Sequence, residues 1–182
     1  MFFTAIENAE DSFKVERLYY QYRKLMYKEA YAILQDTHLA EDAVDESFIR
    51  IIRNLHKIDE ADVPATRNFL VIICRNVAKD LYNSRMYLNK GDALTEEITT
   101  DDAGLVSDPS DIVINKNTKK IMVRIIQELD PIYRDVFLLK RVYDMRRDEI
   151  AAIFGISEEA VKKRLLRAKI KIVTALAEEG IK

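Results

Sequence analysis

The part of the sequence that most constrains the fold lies near its end, in residues 147–171, which read RDEIAAIFGISEEAVKKRLLRAKIK. Apolar residues recur every three or four positions on both sides of a short break that contains Gly155 and Ser157, and this periodicity is typical of amphipathic helices. Gly can take the positive φ of a tight turn, and Ser is a favoured helix N-cap. The segment therefore predicts two short helices joined by about three residues, a helix-turn-helix.

The second of these helices has two chemically different faces. At about 100° per residue, four apolar side chains share one narrow stripe, namely Val161, Leu165, Ala168 and Ile172. Four basic side chains fall on the far side, namely Lys163, Arg164, Arg167 and Lys171. We expect the first face to pack and the second to meet phosphates.

In a helix-turn-helix the second helix enters the major groove of DNA, where its first residues reach base edges and basic residues hold the backbone. The predicted DNA-contacting residues are Ser157, Glu158, Glu159, Lys162, Lys163, Arg164, Arg167 and Lys171. Two simpler interpretations stay open. Acids in a first helical turn favour the helix dipole, and a run of basic residues can be an ordinary solvated surface.

Charge is distributed unevenly along the 182 residues. Residues 1–85 carry 12 Lys and Arg against 14 Asp and Glu, residues 86–114 carry 1 against 7, and residues 115–182 carry 16 against 10. A basic C-terminal block behind an acidic connector favours an anionic partner, with nucleic acid as the first candidate.

The whole pattern predicts an all-α protein of two small helical domains joined by a flexible acidic linker. Helical periodicity covers residues 13–34, 37–55 and 64–85 of a first domain, residues 1–85, and four helices of a second, residues 115–182. Residues 86–114 lack periodicity and are rich in acids, which indicates a linker. The alternative is an ordered surface loop, although about 29 structureless residues are unusual inside one compact domain.

Residue counts disfavour several kinds of site. The single cysteine, Cys74, allows no internal disulfide and no thiolate metal cluster, and we expect it to be a small core residue. His38 and His56 form no Glu-x-x-His pair, which disfavours a carboxylate-bundle metalloenzyme. Signal-peptide, membrane-span and nucleophile patterns are absent from the sequence. We therefore expect a cytoplasmic protein without catalytic residues, metal, cofactor or membrane insertion.

The C-terminal block resembles a known family. Its segment LDPIYRDVFLLKRVYDMRRDEIAAIFGISEEAVKKRLLRAKIKI looks like the pattern LPxxxRxVxxLxxxxGxSxxEIAxxLGISxGTVKSRLxRARxxL of the bacterial RNA polymerase sigma factors, specifically the small extracytoplasmic-function (ECF) group of the sigma-70 family. Asp144 stands where that pattern has Gly, and SEEA replaces SxGT. The resemblance implies that this block is a region 4-like domain that recognises the minus-35 promoter element.

The first domain carries the same resemblance in two further segments. Residues 36–51, DTHLAEDAVDESFIRI, are similar to the family segment that docks on the clamp helices of core polymerase, with Asp45 in place of the usual Gln. The resemblance implies docking through Glu41, Asp42, Asp45, Glu46 and Phe48. Carboxylates on adjacent turns suit a basic partner, although they also suit plain solvent-facing surface.

Residues 69–85, FLVIICRNVAKDLYNSR, resemble the family helix WLxxIARNxxxDxxRR, with Phe69 in place of Trp. The resemblance implies that this helix and the loop before it, about 56–68, contact and help to open the minus-10 element. The implied contacts are Arg67, Asn68, Arg75, Asn76, Lys79, Tyr82 and Arg85. We expect Phe69 itself to lie in the core.

The resulting functional prediction is an alternative sigma factor. Its expected partners are core RNA polymerase, through the clamp helices and the flap, promoter DNA, and an anti-sigma factor, and the free chain is expected to be a monomer. The alternative is an autonomous helix-turn-helix transcription regulator that binds a palindromic site as a dimer.

Overall fold

The computed structural model describes residues 8–90 and 116–181. Across these two ranges the chain forms α-helices and no strand, which confirms the predicted all-α class. The helices are α1 Ala9–Leu34, α2 Thr37–Ile52, α3 Val63–Lys90, α4 Lys116–Glu128, α5 Pro131–Arg141, α6 Arg147–Phe154 and α7 Glu158–Glu178, with a 3₁₀ turn Leu55–Lys57 between α2 and α3. They divide into two compact units, α1 to α3 and α4 to α7.

The helix ends follow from local side-chain chemistry. The carboxylate of Asp36 accepts hydrogen bonds from the backbone N–H groups of His38 and Leu39, at 3.0 and 3.1 Å, and so caps α2. Asp130 caps α5 in the same way, and the Ser157 hydroxyl accepts from the Ala160 N–H at 3.1 Å to cap α7. Each cap supplies an acceptor to N–H groups that have no partner within the helix, and the cap at Ser157 was predicted from the sequence.

The first unit is a three-helix arrangement in which each helix packs against the other two. Its core comes from one face of each helix, and the largest fully buried side chains are Leu18 and Met26 of α1, Phe48 and Ile51 of α2, and Phe69, Leu70 and Ile73 of α3. Leu25 and Ile33, predicted on the buried face of α1, are only half-buried. Phe69 is fully buried, as expected.

The start of α3 agrees with the helix predicted from residue 64 and differs from the loop to residue 68 that the resemblance implied. The helix begins at Val63, where the Asp62 carboxylate accepts from the Ala65 N–H at 3.0 Å. Arg67 and Asn68 therefore lie in the first turns of α3 and not in the loop before it. The helix also continues to Lys90, so residues 86–90 of the predicted linker are helical, and residues 91–114 lie outside the described residues.

In the second unit, α7 packs against α4, α5 and α6. One cluster of its core consists of Ile125 and Leu129 of α4, Phe137 of α5, and Ala168, Ile172 and Leu176 of α7. Between α5 and α6 the chain turns through Asp144, whose φ is +45°. The Lys140 ammonium spans this turn, because its Nζ donates to the Met145 carbonyl at 3.0 Å and lies 3.7 Å from the Asp144 carboxylate.

Candidate nucleic-acid interface

The helix-turn-helix is present as the sequence predicted. α6 ends at Phe154 and is capped by Gly155, whose φ is +61° and whose backbone N–H donates to the Ala151 carbonyl. α7 begins after Ser157, and Val161, Ala168 and Ile172 of its packing stripe are fully buried. The turn and the stripe together fix the orientation of α7, so its remaining side chains are presented to solvent in one defined way.

The structure separates the predicted α7 contacts into two groups. Glu158, Glu159 and Lys162, in its first two turns, are exposed. Lys163, Arg164 and Arg167 are half-buried, because helices pack against α7 on more than one side. In its first turns the most exposed side of α7 is therefore centred on Lys162, whereas of the predicted basic side only Lys171, further along the helix, is exposed.

Two further features of α7 affect what this side can contact. The Lys171 Nζ lies 5.7 Å from the centroid of the Tyr133 ring, a cation–π geometry that holds it to its own domain. Leu166, one turn after Lys162, keeps 37% of its surface exposed. The side chains that α7 offers at its N-terminal end are thus two carboxylates, an ammonium group and one apolar group.

α3 presents a second polar face, here called the α3 outer face, made of Asn68, Arg75, Lys79 and Tyr82. At about 100° per residue these four side chains fall within a 60° sector of the helix, and Lys79 and Tyr82 are exposed. The Arg75 guanidinium donates to the Glu29 carboxylate of α1, with Nε 2.8 Å from the oxygen. That ion pair fixes the position of one cation on this face.

The other three predicted contacts of this helix lie elsewhere. Arg85 donates to the Asp36 carboxylate at 3.1 Å, on the side of α3 that faces the start of α2. The Asn76 amide donates to the Asp80 carboxylate at 3.3 Å. Arg67 is exposed, but it lies well to the side of the α3 outer face. Of the seven contacts predicted for the minus-10 element, four therefore lie on the α3 outer face and three lie outside it.

A third surface is an open groove of about 440 Å³ between α2 and α3, here called the acidic groove. Its polar lining is Asp42, Asp45, Glu46, Arg50, Asp80 and Ser84, over a floor of Ile49, Val77 and Leu81. Partial burial raises the pKa of Asp45, and burial raises the pKa of Asp80, against the lowering effect of Arg50. The groove therefore holds more negative than positive charge in a partly desolvated place.

Two charged residues of this groove, Arg50 and Asp80, were not predicted from the sequence as part of the docking site. The Arg50 guanidinium donates to Glu46 and to Asp80, each at 3.2 Å, and so joins α2 to α3. The i,i+4 spacing of Glu46 and Arg50 was a visible signal for the first contact. The second contact had no such signal, because Arg50 and Asp80 are 30 positions apart in the chain.

Phe48, predicted as a docking residue, does not lie on this surface. Its side chain is fully buried, and its ring meets the Tyr19 ring edge-on at a centroid distance of 5.0 Å. Phe48 is part of the core of the first unit and has no surface to offer a partner. Glu41, the remaining member of the predicted set, is exposed at the start of α2.

Cys74 is a core residue. It is fully buried, and its Sγ donates to the Met26 carbonyl at 3.2 Å. Burial raises the pKa of the Cys74 thiol to about 11. Because the folded-state pKa is raised, this thiol does not affect stability at neutral pH and weakens the fold only as the pH rises above the ordinary thiol value of about 8.5.

We expect native Cys74 to react with iodoacetamide at pH 8 at least about 100-fold more slowly than in urea-unfolded protein, since the thiolate is the reactive form. Mass spectrometry of the modified protein over time gives both rates. Equal rates in the two states would contradict the buried position of the thiol.

Two structural properties of the described part of the chain concern metal and membrane. Among the described side chains, no three of His, Cys, Asp or Glu stand close enough together to hold a metal ion. Each described helix is too short or too polar to span a bilayer.

Comparison with known proteins assigns the chain to a family. The family model for sigma-70 region 2 matches residues 18–86, and the model for sigma-70, region 4 matches residues 119–172. The chain belongs to the sigma-70 family. Members of this family are regulatory subunits of RNA polymerase rather than catalysts. The matches cover α1 to α3 and α4 to α7, the two units that carry the surfaces described above.

Individual relatives identify the group within the sigma-70 family. The chain is 26% identical over 174 residues to the ECF RNA polymerase sigma factor SigM of Bacillus subtilis (strain 168), covering 92% of this chain and 97% of SigM. It is 29% identical over 154 residues to SigW of the same organism, covering 81% of each chain, and 28% identical over 142 residues to CarQ of Myxococcus xanthus, covering 77% and 76%. This sigma factor is of the ECF type, as the sequence predicted.

A solved structure is also similar to this sigma factor. It contains the sigma factor RpoE in complex with the anti-sigma factor NepR from Bartonella quintana, with 14% identity, a TM-score of 0.35, and coverage of 89% of this chain and 96% of that chain.

Proposed function

We propose that this sigma factor binds core RNA polymerase through the acidic groove and recognises promoter DNA through the α3 outer face and the N-terminal half of α7. The observation that carries the proposal is the separation of charge within the first unit. The carboxylates of α2 and Asp80 line one side of α3, while Arg75 and Lys79 lie about a third of a turn away. One small unit can thus bind a basic protein surface and a nucleic acid at the same time.

The acidic groove suits a basic helical partner such as the polymerase clamp. Asp42 and Asp45 are exposed on α2, and the floor of Ile49, Val77 and Leu81 can pack against the aliphatic part of an incoming Arg or Lys side chain. A carboxylate in a partly desolvated place interacts more strongly with a cation than a fully solvated one does. The groove supports docking better than plain solvent-facing surface, which would have no such floor.

The α3 outer face suits the minus-10 element. Arg75 and Lys79 can contact phosphates, Asn68 can hydrogen-bond to a base, and the exposed Tyr82 ring can stack on a base of the opened strand. Stacking on an aromatic side chain recovers about 1–3 kcal/mol per base, which offsets part of the cost of unstacking it.

α7 suits the minus-35 element through its exposed N-terminal residues. Lys162 can donate to guanine, the carboxylates of Glu158 and Glu159 can accept from cytosine, and Leu166 can contact a thymine methyl group. Glu159 lies 3.7 Å from Lys162, so the two side chains are positioned as a pair.

The remaining parts of the proposal follow from these surfaces. Residues 91–115 connect the two units, so binding of one unit raises the effective concentration of the other near DNA. An anti-sigma factor that covers the acidic groove or the DNA-contacting faces would keep the protein from polymerase. We propose that the protein acts as a monomer in the cytoplasm and has no enzymatic activity of its own.

Transcription in vitro tests the proposal. Core polymerase with this protein, supplied with fragments of genomic DNA, is expected to give RNAs with defined 5′ ends whose templates share two upstream elements, and core polymerase alone is not. The autonomous regulator would be supported instead if core polymerase with this protein gave no defined start sites and the protein bound a palindromic duplex as a dimer.

A further inference from the structure

The outward side of α1 carries aromatic side chains at regular spacing, here called the aromatic stripe, made of Phe13, Tyr20, Tyr27 and Tyr31. The first three are seven residues apart, which is two helical turns, so they lie on the same side of α1. Phe13 is 61% exposed, Tyr20 73% and Tyr31 39%. The Tyr27 and Tyr31 rings stack with centroids 6.1 Å apart.

The stripe takes no part in the core or in the three surfaces assigned above. The buried side of α1 is formed by Val15, Leu18 and other residues that point towards α2 and α3. Near the start of the helix, Phe13 and Tyr20 line a shallow open groove with Glu16, Arg17 and Gln21. Large aromatic side chains in such exposed positions are a typical mark of an interaction surface.

Cations accompany the stripe. Lys24 lies between Tyr20 and Tyr27 on the same side of α1, and Lys28 lies beside Tyr31; both are exposed. The Arg17 guanidinium is held beside Phe13 and Tyr20 by a two-bond contact with the Glu60 carboxylate, at 3.0 and 2.7 Å. The C-terminal half of the stripe is therefore positively charged. In the N-terminal half the charges of Arg17 and Glu60 compensate each other, and Glu16 adds one exposed carboxylate.

We infer that the aromatic stripe is a docking site for one amphipathic helix of a protein partner, with apolar residues in a seven-residue repeat and acidic residues beside them. The stripe runs for about 27 Å along a straight helix, and its rings recur every ~10.5 Å, the spacing at which a second helix repeats its own contact residues. Stacked nucleotides recur every ~3.4 Å, so a nucleic acid strand matches this spacing poorly. Lys24 and Lys28 favour a partner with negatively charged side chains beside its apolar row.

This inference goes beyond the proposed function, because it concerns a surface that neither polymerase docking nor promoter recognition uses. A helical peptide is a suitable probe. It has about 24 residues, enough to span the stripe, with Leu at every seventh position, Glu on both sides of the Leu row, and a fluorescent label. A second peptide carries Lys in place of every Glu, and a labelled single-stranded oligonucleotide represents nucleic acid. Fluorescence anisotropy measures binding of each probe to the full-length protein.

We expect the acidic peptide to bind the wild-type protein. The substitutions Phe13→Glu/Tyr20→Glu should lower the affinity for this peptide by about tenfold or more, because exposed aromatic anchors dominate such interfaces. Lys24→Glu is expected to weaken it severalfold. The control is Val123→Glu, which places a carboxylate on an exposed apolar residue of the second unit, 46% exposed, and it should bind as the wild type does. Circular dichroism checks that the variants are folded.

Four results would overturn the inference. Three concern the peptides: the acidic peptide does not bind, both peptides bind equally, or the double variant binds the acidic peptide as the wild type does. The fourth is that the oligonucleotide binds the wild type and Val123→Glu but not the double variant. Dimerisation of the wild type that Phe13→Glu/Tyr20→Glu abolishes would assign the stripe to a second copy of this chain and overturn it as well. Because the double variant leaves the acidic groove intact, it should keep its binding to core polymerase, so failure here is distinguishable from failure of the proposed function.

Discussion

Asp42→Arg/Glu46→Arg is expected to abolish co-elution of this sigma factor with core RNA polymerase in size-exclusion chromatography. Both carboxylates line the acidic groove, and the substitutions replace two negative charges by two positive ones where a basic partner is proposed to bind. Losing one partner of a desolvated charge pair typically costs 2–5 kcal/mol. We therefore expect affinity to fall by at least about 100-fold.

The variant should fold normally. Asp42 is exposed, and Arg50 keeps the Asp80 carboxylate as a partner when Glu46 is replaced. The matched control is Glu10→Arg/Glu16→Arg, which makes the same change of charge at exposed positions of α1 and should co-elute as the wild type does. Unchanged co-elution of the groove variant would show that polymerase binds elsewhere, and loss in both variants would indicate a response to net charge rather than to the groove.

Phe69→Ala is expected to destabilise the first unit by about 3–5 kcal/mol, since truncating a fully buried aromatic removes its packing and leaves a cavity. Phe69 has no exposed surface and lies in α3, which packs against both α1 and α2. Hydrogen exchange is followed during a urea titration, separately for α1 to α3 and for α4 to α7. It measures the change in the free energy of unfolding of each unit. The second unit should keep its stability.

Phe13→Ala is the matched control for this prediction. It makes the same chemical change in the same unit, but Phe13 is 61% exposed, so its effect should stay within about 0.5 kcal/mol. Similar losses in the two variants would mean that Phe69 does not occupy the core position described here.

Features that depend on neighbouring residues in the chain could be predicted from the sequence. The caps at Asp36, Asp130 and Ser157 and the turn at Gly155 require only a side chain or a flexible backbone within a few positions of the helix end. The apolar row of α4 has the same local origin in helical periodicity: Ile125 and Leu129 are buried, and Ile121, Met122 and Ile126 are partly buried. Helix existence and helix ends are local properties, and the sequence specifies them locally.

Features that depend on contacts between distant segments could not be predicted. Arg85, assigned to DNA by resemblance, forms an ion pair with Asp36, a residue 49 positions earlier, and this pair had no local signal. Lys163 and Arg167 were placed on an open face because one packing stripe was counted, whereas several helices cover α7. Phe48 shares a short motif with surface carboxylates, but its side chain is fully buried in the core.

The turn between α5 and α6 has an evolutionary consequence. Asp144 holds a positive φ that a side chain disfavours, and Lys140 contacts both its carboxylate and the next carbonyl. A glycine at position 144 takes this φ without strain and leaves the lysine with one contact instead of two. The two positions are therefore expected to be linked: glycine at 144 weakens the requirement for lysine at 140, whereas Asp144 favours a cation there.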